Sequence, residues 1–302
     1  MCKVSVVITS HNRPDFVDRC YQSMLSQSSL PDEVLIIVDA TDEEFDLENI
    51  NFSEKLIPKI YFNGQRRGAN YSRNFGYTAS KGNLILFCDD DDIFYNDKVS
   101  HLRQILDETD VPTIIYHQYE IYYPNLDLRY IKEIKDPDKT ALLVSNIVGP
   151  TSFVGVTKIY DILPFDETLE VLQDWDAWMN LVWNHGFCLR AVHTVLGTYH
   201  INNIKSTSKN IEKFEKSYRK LNSKRHAIIS EKNIVTISDK DLMSSYFSTK
   251  AWKLLHTGKK FSASGYFLRS FTLSHFDWSL LAKSVASFFG LRVISSVKKL
   301  IG

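Results

Sequence analysis

Short apolar runs alternate with helical patterns over the first ninety residues, and this alternation constrains the fold more than any other feature. Residues 4–8 and 34–38 are apolar, β-branched runs typical of buried strands. Between them, residues 15–27 carry apolar side chains at helical spacing, and Pro14 stands where a helix can begin. A strand, a helix and a second strand in this order form a βαβ unit, whose two strands are parallel. We therefore expect an α/β fold.

Further runs of both kinds follow along the chain. Strands are predicted at residues 59–62, 84–87, 113–123 and 189–199. Helices are predicted at residues 69–80, 97–107 and 172–183, and residues 209–250 have a charged, helical pattern. The expected architecture is a Rossmann-like, mostly parallel central sheet flanked by helices, with a C-terminal helical extension. We place the catalytic domain at residues 1–208 and the helical C-terminal region at residues 209–302.

Four consecutive aspartates, at residues 89–92, follow the predicted strand at residues 84–87. In open α/β sheets, ligands bind outside the carboxyl ends of the strands. Aspartates at alternate positions can direct two carboxylates to one side and hold a hard divalent cation, Mg²⁺ or Mn²⁺, with a diphosphate as co-ligand. An acidic turn that caps the following helix is the alternative interpretation.

Polar residues near the other predicted strands could bind a nucleotide. Asp39 ends the second strand, where a carboxylate can accept a hydrogen bond from a base or ribose; it could equally form a turn. Arg67 lies in the glycine-flanked loop at residues 64–68, and Arg73 lies in the helix that follows. Guanidinium groups and helix N-termini both favour phosphate.

Two later segments offer further candidates. Asp174 and Asp176 stand at a predicted helix start, where a carboxylate could remove a proton from an acceptor or could cap the helix. His200 follows a predicted strand and could reach a metal or donor phosphates, although a lone histidine is more often structural.

Composition narrows the class of protein. Lys and Arg number 36, equal to Asp and Glu at 36, so no global charge indicates a nucleic-acid partner. The four cysteines contain no Cys-x-x-Cys pair, which argues against a zinc cluster and a secreted disulfide framework. The N-terminus is predicted as a strand rather than a signal peptide, and no apolar run approaches the roughly 20 residues of a membrane span. We expect a cytoplasmic protein.

The C-terminal residues 251–302 have a different charge from the rest of the chain. They hold eight Lys or Arg and a single acid, Asp277, interleaved with many apolar residues. This pattern fits helices that complete the core, and equally a patch that rests on the inner face of a membrane.

Taken together, residues 3–205 resemble the family-2 inverting glycosyltransferases with a GT-A fold. Residues 4–13 are similar to the first strand and Asn-Arg turn of that family, and residues 71–83 to its Ala-Arg-Asn helix. Asp89 and Asp91 match the Asp-x-Asp metal motif. Residues 165–176 are similar to the acceptor-side signature, in which the aspartate of a Glu-Asp pair is the catalytic base.

The resemblance implies that a sugar moves from a nucleotide-diphosphate donor, with a UDP-sugar favoured, in one inverting displacement. Asp174 would be the base, Asp91 and Asp89 would hold Mg²⁺ or Mn²⁺, and His200 is a further candidate ligand. The acceptor would be a saccharide or lipid-linked glycan in surface-polysaccharide assembly. The implied donor-binding residues are Thr9, Asn12, Arg13, Asp39, Arg67, Arg73, Asp89 and Asp90.

The sequence also departs from the family pattern. Asp39 is followed by Ala40, Thr41 and Asp42 rather than Asp-Gly-Ser, and Gln173 replaces the usual Glu before Asp174. Two other functions were weighed. A sugar nucleotidyltransferase usually carries a glycine-rich loop after the first strand, and residues 9–14 contain no glycine. A glycan-binding or scaffold protein could keep the fold without catalysis.

Overall fold

The computed structural model describes residues 2–40, 45–201, 210–274 and 277–290. Within these ranges the strands are β1 (Val4–Ser10), β2 (Glu33–Val38), β3 (Lys59–Phe62), β4 (Leu84–Asp89), β5 (Ile93–Phe94), β6 (Thr113–Tyr123), β7 (Leu128–Lys132), β8 (Val154–Thr157) and β9 (Cys188–His200). The helices are α1 (Pro14–Leu25), α2 (Ala69–Ala79), α3 (Lys98–Asp107), α4 (Lys139–Val144), α5 (Gln173–Asn184), α6 (Ile211–Glu231), α7 (Asp239–His256), α8 (Lys260–Leu273) and α9 (Trp278–Ser287).

The strands form one sheet in the order β3-β2-β1-β4-β8-β6-β9-β5, with β7 paired to β6. The first four strands are parallel. Beyond them the sheet is mixed, because β8 is antiparallel to both β4 and β6 whereas β9 is parallel to β6. The α/β fold with flanking helices and C-terminal helices is confirmed, and the parallel pairing is concentrated in the N-terminal half.

Both faces of the parallel half are covered, which explains why its strands are continuous apolar runs. In β4, Ile85 and Phe87 face the layer that contains α2, α5 and α6. Leu86 and Cys88 face the opposite layer, which contains α1 and α3. Successive side chains of a strand point to opposite faces, so both layers require apolar residues from the same run.

The C-terminal helices pack in two ways. Phe214, Leu221 and Ile228 of α6 join the same core cluster as α5. The helices α7 to α9 form a cluster of their own around residues such as Leu254 and Phe267. The domain boundary placed after residue 208 stays a prediction. Across the ranges described, the helices fall short of the length or apolar character that a membrane span requires.

One glycine sets the distance between α2 and β1. A Cβ atom on Gly76 would lie 2.3 Å from Cγ1 of Val7 and 3.3 Å from Cγ1 of Ile37. Contacts this short force backbone or core side chains to move, so α2 can lie this close to the sheet only with glycine here. This approach matters because α2 carries Arg73 and its neighbours to the edge of β4.

We expect Gly76→Ala to lower the free energy of unfolding by about 1–3 kcal/mol through overpacking. The matched control is Gly265→Ala, on α8, where a Cβ would meet nothing within 4 Å. That change should raise stability by about 0.5–1 kcal/mol, since alanine restricts the unfolded chain. Urea unfolding of both variants measures this; equal stability of the two would contradict the close packing of α2.

Candidate active site

The four aspartates after β4 alternate between surface and interior. The side chains of Asp89 and Asp91 are 31% and 22% exposed, whereas Asp90 and Asp92 are fully buried. The alternation leaves two carboxylates at alternate positions accessible at the carboxyl end of a parallel strand. This is the arrangement expected for the predicted metal pair, while the buried members have other partners.

Asp90 ties the β1–α1 turn to the end of β4. Its Oδ2 accepts hydrogen bonds from Ser10 Oγ at 2.5 Å and Arg13 Nε at 3.0 Å, and Arg13 Nη2 donates to Oδ1. Burial raises the pKa of Asp90 to about 7, and the charge of Arg13 opposes this rise. Asn12, in the same turn, is exposed and has a positive φ of 50°. Asp90 and Arg13, both predicted to bind the donor, therefore bind each other.

A second set of buried hydrogen bonds holds the aspartate run in place from its interior side. Asp92 Oδ1 accepts a hydrogen bond from the backbone N–H of His200 at 3.1 Å. Ser152 Oγ accepts one from the Asp89 N–H at 2.9 Å, and buried Lys98 donates to the Ser152 carbonyl oxygen. Burial lowers the pKa of Lys98 to about 7. Lys98 and Ser152 were not predicted as site residues; the available sign was that Lys98 shares the apolar stripe of its helix with Leu102.

Arg73 joins the accessible motif to α2. Its Nη2 donates to Asp89 Oδ1 at 2.6 Å, and its guanidinium lies 5.6 Å from the ring centroid of Phe165. Thr9 Oγ1 donates to the same Asp89 oxygen at 3.3 Å. Thr9, Arg73 and Asp89, which lie on three different elements, are therefore brought together.

The same face of α2 also holds the loop at residues 165–169, before α5. Asn70 Nδ2 donates to the carbonyl oxygens of Asp166 and Leu169 at 2.8 and 2.9 Å. Asn74 Nδ2 donates to the Phe165 carbonyl at 2.8 Å and to Glu167 Oε1 at 2.9 Å. Neither asparagine was predicted as a site residue, although their spacing of four places them on one helix face with Arg73.

Asp39, at the end of β2, holds the loop that carries Arg67. Its Oδ1 accepts hydrogen bonds from the Arg67 N–H at 2.7 Å and Asn63 Nδ2 at 3.0 Å, and its Oδ2 from the Gly68 N–H at 2.8 Å. The Arg67 guanidinium stacks over Tyr71, 4.5 Å from its ring centroid. Asp39 therefore holds the loop at residues 63–68, which is a different role from the predicted local turn, and its contact with a base stays a prediction.

Asp174 and Asp176 lie in the first turn of α5 and have different surroundings. Asp176 is buried and accepts a hydrogen bond from Lys224 of α6 at 2.8 Å, which makes it a link between two helices. Asp174 Oδ1 accepts a hydrogen bond from the Trp175 N–H at 2.8 Å. Burial raises the pKa of Asp174, while Arg73 and Lys253 oppose the rise. Lys253, on α7, is a neighbour that the sequence analysis missed.

Shared neighbours bring Asp174 and the β4 aspartates into one site. Arg73 contacts Asp89 and also acts on the pKa of Asp174. Burial raises the pKa of Tyr199, and the charges of Asp92, Asp91, Asp89 and Asp174 raise it further. The tyrosine on β9 and the arginine on α2 thus lie near both the predicted metal pair and the predicted base.

The residues present fit a divalent cation that is held partly by protein carboxylates and partly by the phosphates of a bound substrate. The residues that the structure describes contain no cluster of three metal-binding side chains. Mg²⁺, however, is commonly bound by one or two carboxylates together with substrate phosphates, and Asp89 and Asp91 supply two. His200 has a buried Nδ1 without a hydrogen-bond partner, and burial lowers its pKa to about 4, which keeps the ring neutral. Its role as a ligand stays a prediction.

Solved structures share the fold. The S. aureus protein TarS, as residues 1–349 in complex with UDP-GlcNAc, matches with a TM-score of 0.60 and 14% identity, over 95% of this chain and 91% of that chain. The same protein in complex with UDP matches with a TM-score of 0.56. At this identity the likeness concerns the fold alone, which is the GT-A fold.

Sequence comparison identifies the family. Uncharacterized glycosyltransferases of Rickettsia typhi and Haemophilus influenzae are both 27% identical to this chain, over 59% and 61% of it. The chain covers 58% and 63% of those two relatives. A glucosyl-dolichyl phosphate glucuronosyltransferase of Haloferax volcanii is 33% identical over 30% of this chain and 29% of its own. The model described as glycosyl transferase family 2 matches residues 5–158, just over half of the chain, and the protein therefore belongs to that family.

Proposed function

We propose that this protein is an inverting, metal-dependent glycosyltransferase. It transfers a sugar from a nucleotide-diphosphate donor, a UDP-sugar in the first instance, to a hydroxyl of a saccharide or lipid-linked acceptor in surface-polysaccharide synthesis. The family and the names of its relatives support sugar transfer. The complex of TarS with UDP-GlcNAc supports the choice of donor.

The observation that carries the proposal is that Arg73 contacts Asp89 of the strand-end pair and lies near Asp174. Asp89 and Asp91 are partly accessible at the strand end. Asp174 is half-buried in the first turn of α5, where loss of contact with water raises its pKa. Carboxylates at the strand end can bind a cation that in turn binds a diphosphate, whereas an acid with a raised pKa is a stronger base when ionised.

The donor would lie across the carboxyl ends of β1, β2 and β4. Thr9, Asp39 and the loop at residues 63–68 surround the position for the nucleoside, and Arg13 and Arg73 bring positive charge to the diphosphate. A divalent cation bound by Asp89 and Asp91 would neutralise charge on the departing diphosphate.

The chemical step is a single displacement. The acceptor oxygen forms a bond to the anomeric carbon as the bond from that carbon to the diphosphate oxygen breaks. The electron pair of the broken bond leaves with the nucleoside diphosphate, and the acceptor proton passes to the Asp174 carboxylate. Since the donor already carries a good leaving group, no second carboxylic acid is needed to protonate it. Attack from the face opposite the diphosphate inverts the anomeric centre.

Release of free nucleoside diphosphate tests the donor and the metal. We expect release from one member of a sugar-nucleotide panel with Mn²⁺ or Mg²⁺, and none with a chelator. Asp91→Asn should lower the rate by about 10²-fold or more, because the cation that neutralises the departing diphosphate loses a carboxylate ligand. The control is Asp97→Asn, an exposed acid at the start of α3 whose side chain makes no cap hydrogen bond; it should keep the wild-type rate.

Metal-independent release, or equal rates for the Asp91 and Asp97 variants, would refute the metal assignment. If no sugar nucleotide of the panel releases nucleoside diphosphate and none shifts the melting temperature, the scaffold function would be favoured instead.

Two aspartates in one helical turn allow a matched test of the base. Asp174→Asn should lower the transfer rate by about 10²–10⁴-fold and leave the donor-induced thermal shift intact, because a neutral amide cannot accept the acceptor proton. Asp176→Asn should instead lower the free energy of unfolding by about 1–3 kcal/mol, since Lys224 loses one charged partner, and should retain transfer. Transfer rates and urea unfolding are measured on both. Full activity of the Asp174 variant would refute its role as base.

A further inference from the structure

Among the residues that the structure describes, most of the exposed aromatic side chains lie on the α8–α9 pair or directly after it. Phe261 is 77% exposed, Trp278 is 70% exposed and Phe289 is 68% exposed. Leu268, Val285 and Phe288 are also exposed on these helices or at their ends. Isolated apolar residues at a surface are ordinary, whereas a contiguous set with several large rings marks an interaction site.

Helical spacing places these residues on one face of each helix. On α8 the exposed positions 261, 265, 268 and 272 follow the spacing i, i+4, i+7, i+11. On α9 and the turn after it, Trp278, Val285 and Phe289 follow the same spacing. The buried residues of α8, such as Phe267 and Phe271, belong to the other face, which packs into the α7–α9 cluster.

The two helices are antiparallel, which joins their exposed faces into one strip. The rings of Phe261 and Phe288 are 5.5 Å apart at one end, and those of Phe271 and Trp278 are 5.5 Å apart at the other. Midway along α8, a Cβ on Gly265 would meet nothing within 4 Å. The strip is therefore open along its length within the part of the chain that the structure describes. We call it the α8–α9 strip, defined by Phe261, Leu268, Trp278, Val285, Phe288 and Phe289.

The charged residues beside the strip indicate which kind of surface it binds. Lys259, Lys260 and Arg269 are exposed on or beside α8, and no acid occurs in residues 257–276. The single acid of residues 251–302, Asp277, accepts a hydrogen bond from the Ser279 N–H at 2.9 Å and thus caps α9. Exposed aromatic rings beside lysines, without acids, are the composition of helices that lie at an anionic membrane surface. A protein partner recognised by apolar contact alone would not require this one-sided charge.

We propose that the α8–α9 strip docks the protein onto an anionic lipid surface, with the rings in the headgroup region and the lysines beside lipid phosphates. The inference goes beyond the proposed transfer reaction and does not rest on it, because membrane contact is measured without donor or acceptor. It gives a function to the basic residues of the C-terminal region, whose presence is not explained by the packing of the helices.

Vesicle co-sedimentation of the full chain tests the proposal. Wild-type protein should bind vesicles of phosphatidylcholine mixed with an equal amount of phosphatidylglycerol, and bind vesicles of phosphatidylcholine alone more weakly. Added salt should weaken binding to the anionic vesicles, because it screens the lysines. Phe261→Ser combined with Phe289→Ser should reduce the partition coefficient by roughly tenfold for each ring removed, as expected from the burial of an aromatic side chain.

The matched control is Tyr160→Ser, which removes an equally exposed ring, 75% accessible, outside the strip. It should bind like wild type, and circular dichroism should show that both variants are folded. Equal binding of the double variant and wild type would overturn the proposal. So would wild-type protein that does not bind anionic vesicles. Self-association that the double variant abolishes, without vesicle binding, would assign the strip to a second copy.

Discussion

The contact between Arg73 and Asp89 is the interaction on which the site depends. A buried guanidinium is costly unless it is paired, so α2 cannot move away from the end of β4 without leaving the buried charge of Arg73 without its carboxylate partner. The Asn70 and Asn74 amides extend this constraint to the loop before α5. The close approach at Gly76 makes the geometry reachable, because it lets α2 lie directly on β1. Strand end, helix and loop thereby behave as one unit.

The acidic run shows how a protein can place four acidic side chains in a row. Two of the carboxylates remain in partial contact with solvent, where water and the arginines reduce their mutual repulsion. The other two are buried, and each receives hydrogen bonds from a different part of the chain: Asp90 from Ser10 and Arg13, Asp92 from the backbone at His200. The buried pair therefore fixes β4 relative to β1 and β9, while the partly accessible pair lies at the end of β4 beside Arg13 and Arg73.

The local sequence pattern predicted most helices and strands. It did not predict the site contacts, because they join residues that are far apart in the chain. The strands at residues 34–38 and 59–62 and the helix at residues 69–80 followed from periodicity, since burial on one or two faces determines which positions are apolar. The short strands β5, β7 and β8 were not predicted, because two to five residues are too few to show a clear alternation of apolar and polar side chains. Asn70 and its acceptor at Leu169 are 99 residues apart, and nothing local in either segment indicates the other. The family and fold are confirmed, whereas the assigned roles of individual site residues stay predictions.

The hydrogen bonds of Asp39 have a consequence for base selection. An ionised carboxylate offers about four acceptor positions, and donors at Asn63, Arg67 and Gly68 occupy three of them. A nucleobase that reaches this carboxylate therefore finds room for a single N–H group. A base with one imino hydrogen can use the remaining lone pair while the loop stays closed. A base that presents two donors would have to displace a loop amide, and the free energy of opening the loop would be subtracted from its affinity. If Asp39 contacts a nucleobase as predicted, the closed loop would favour a base that presents a single donor over one that presents two.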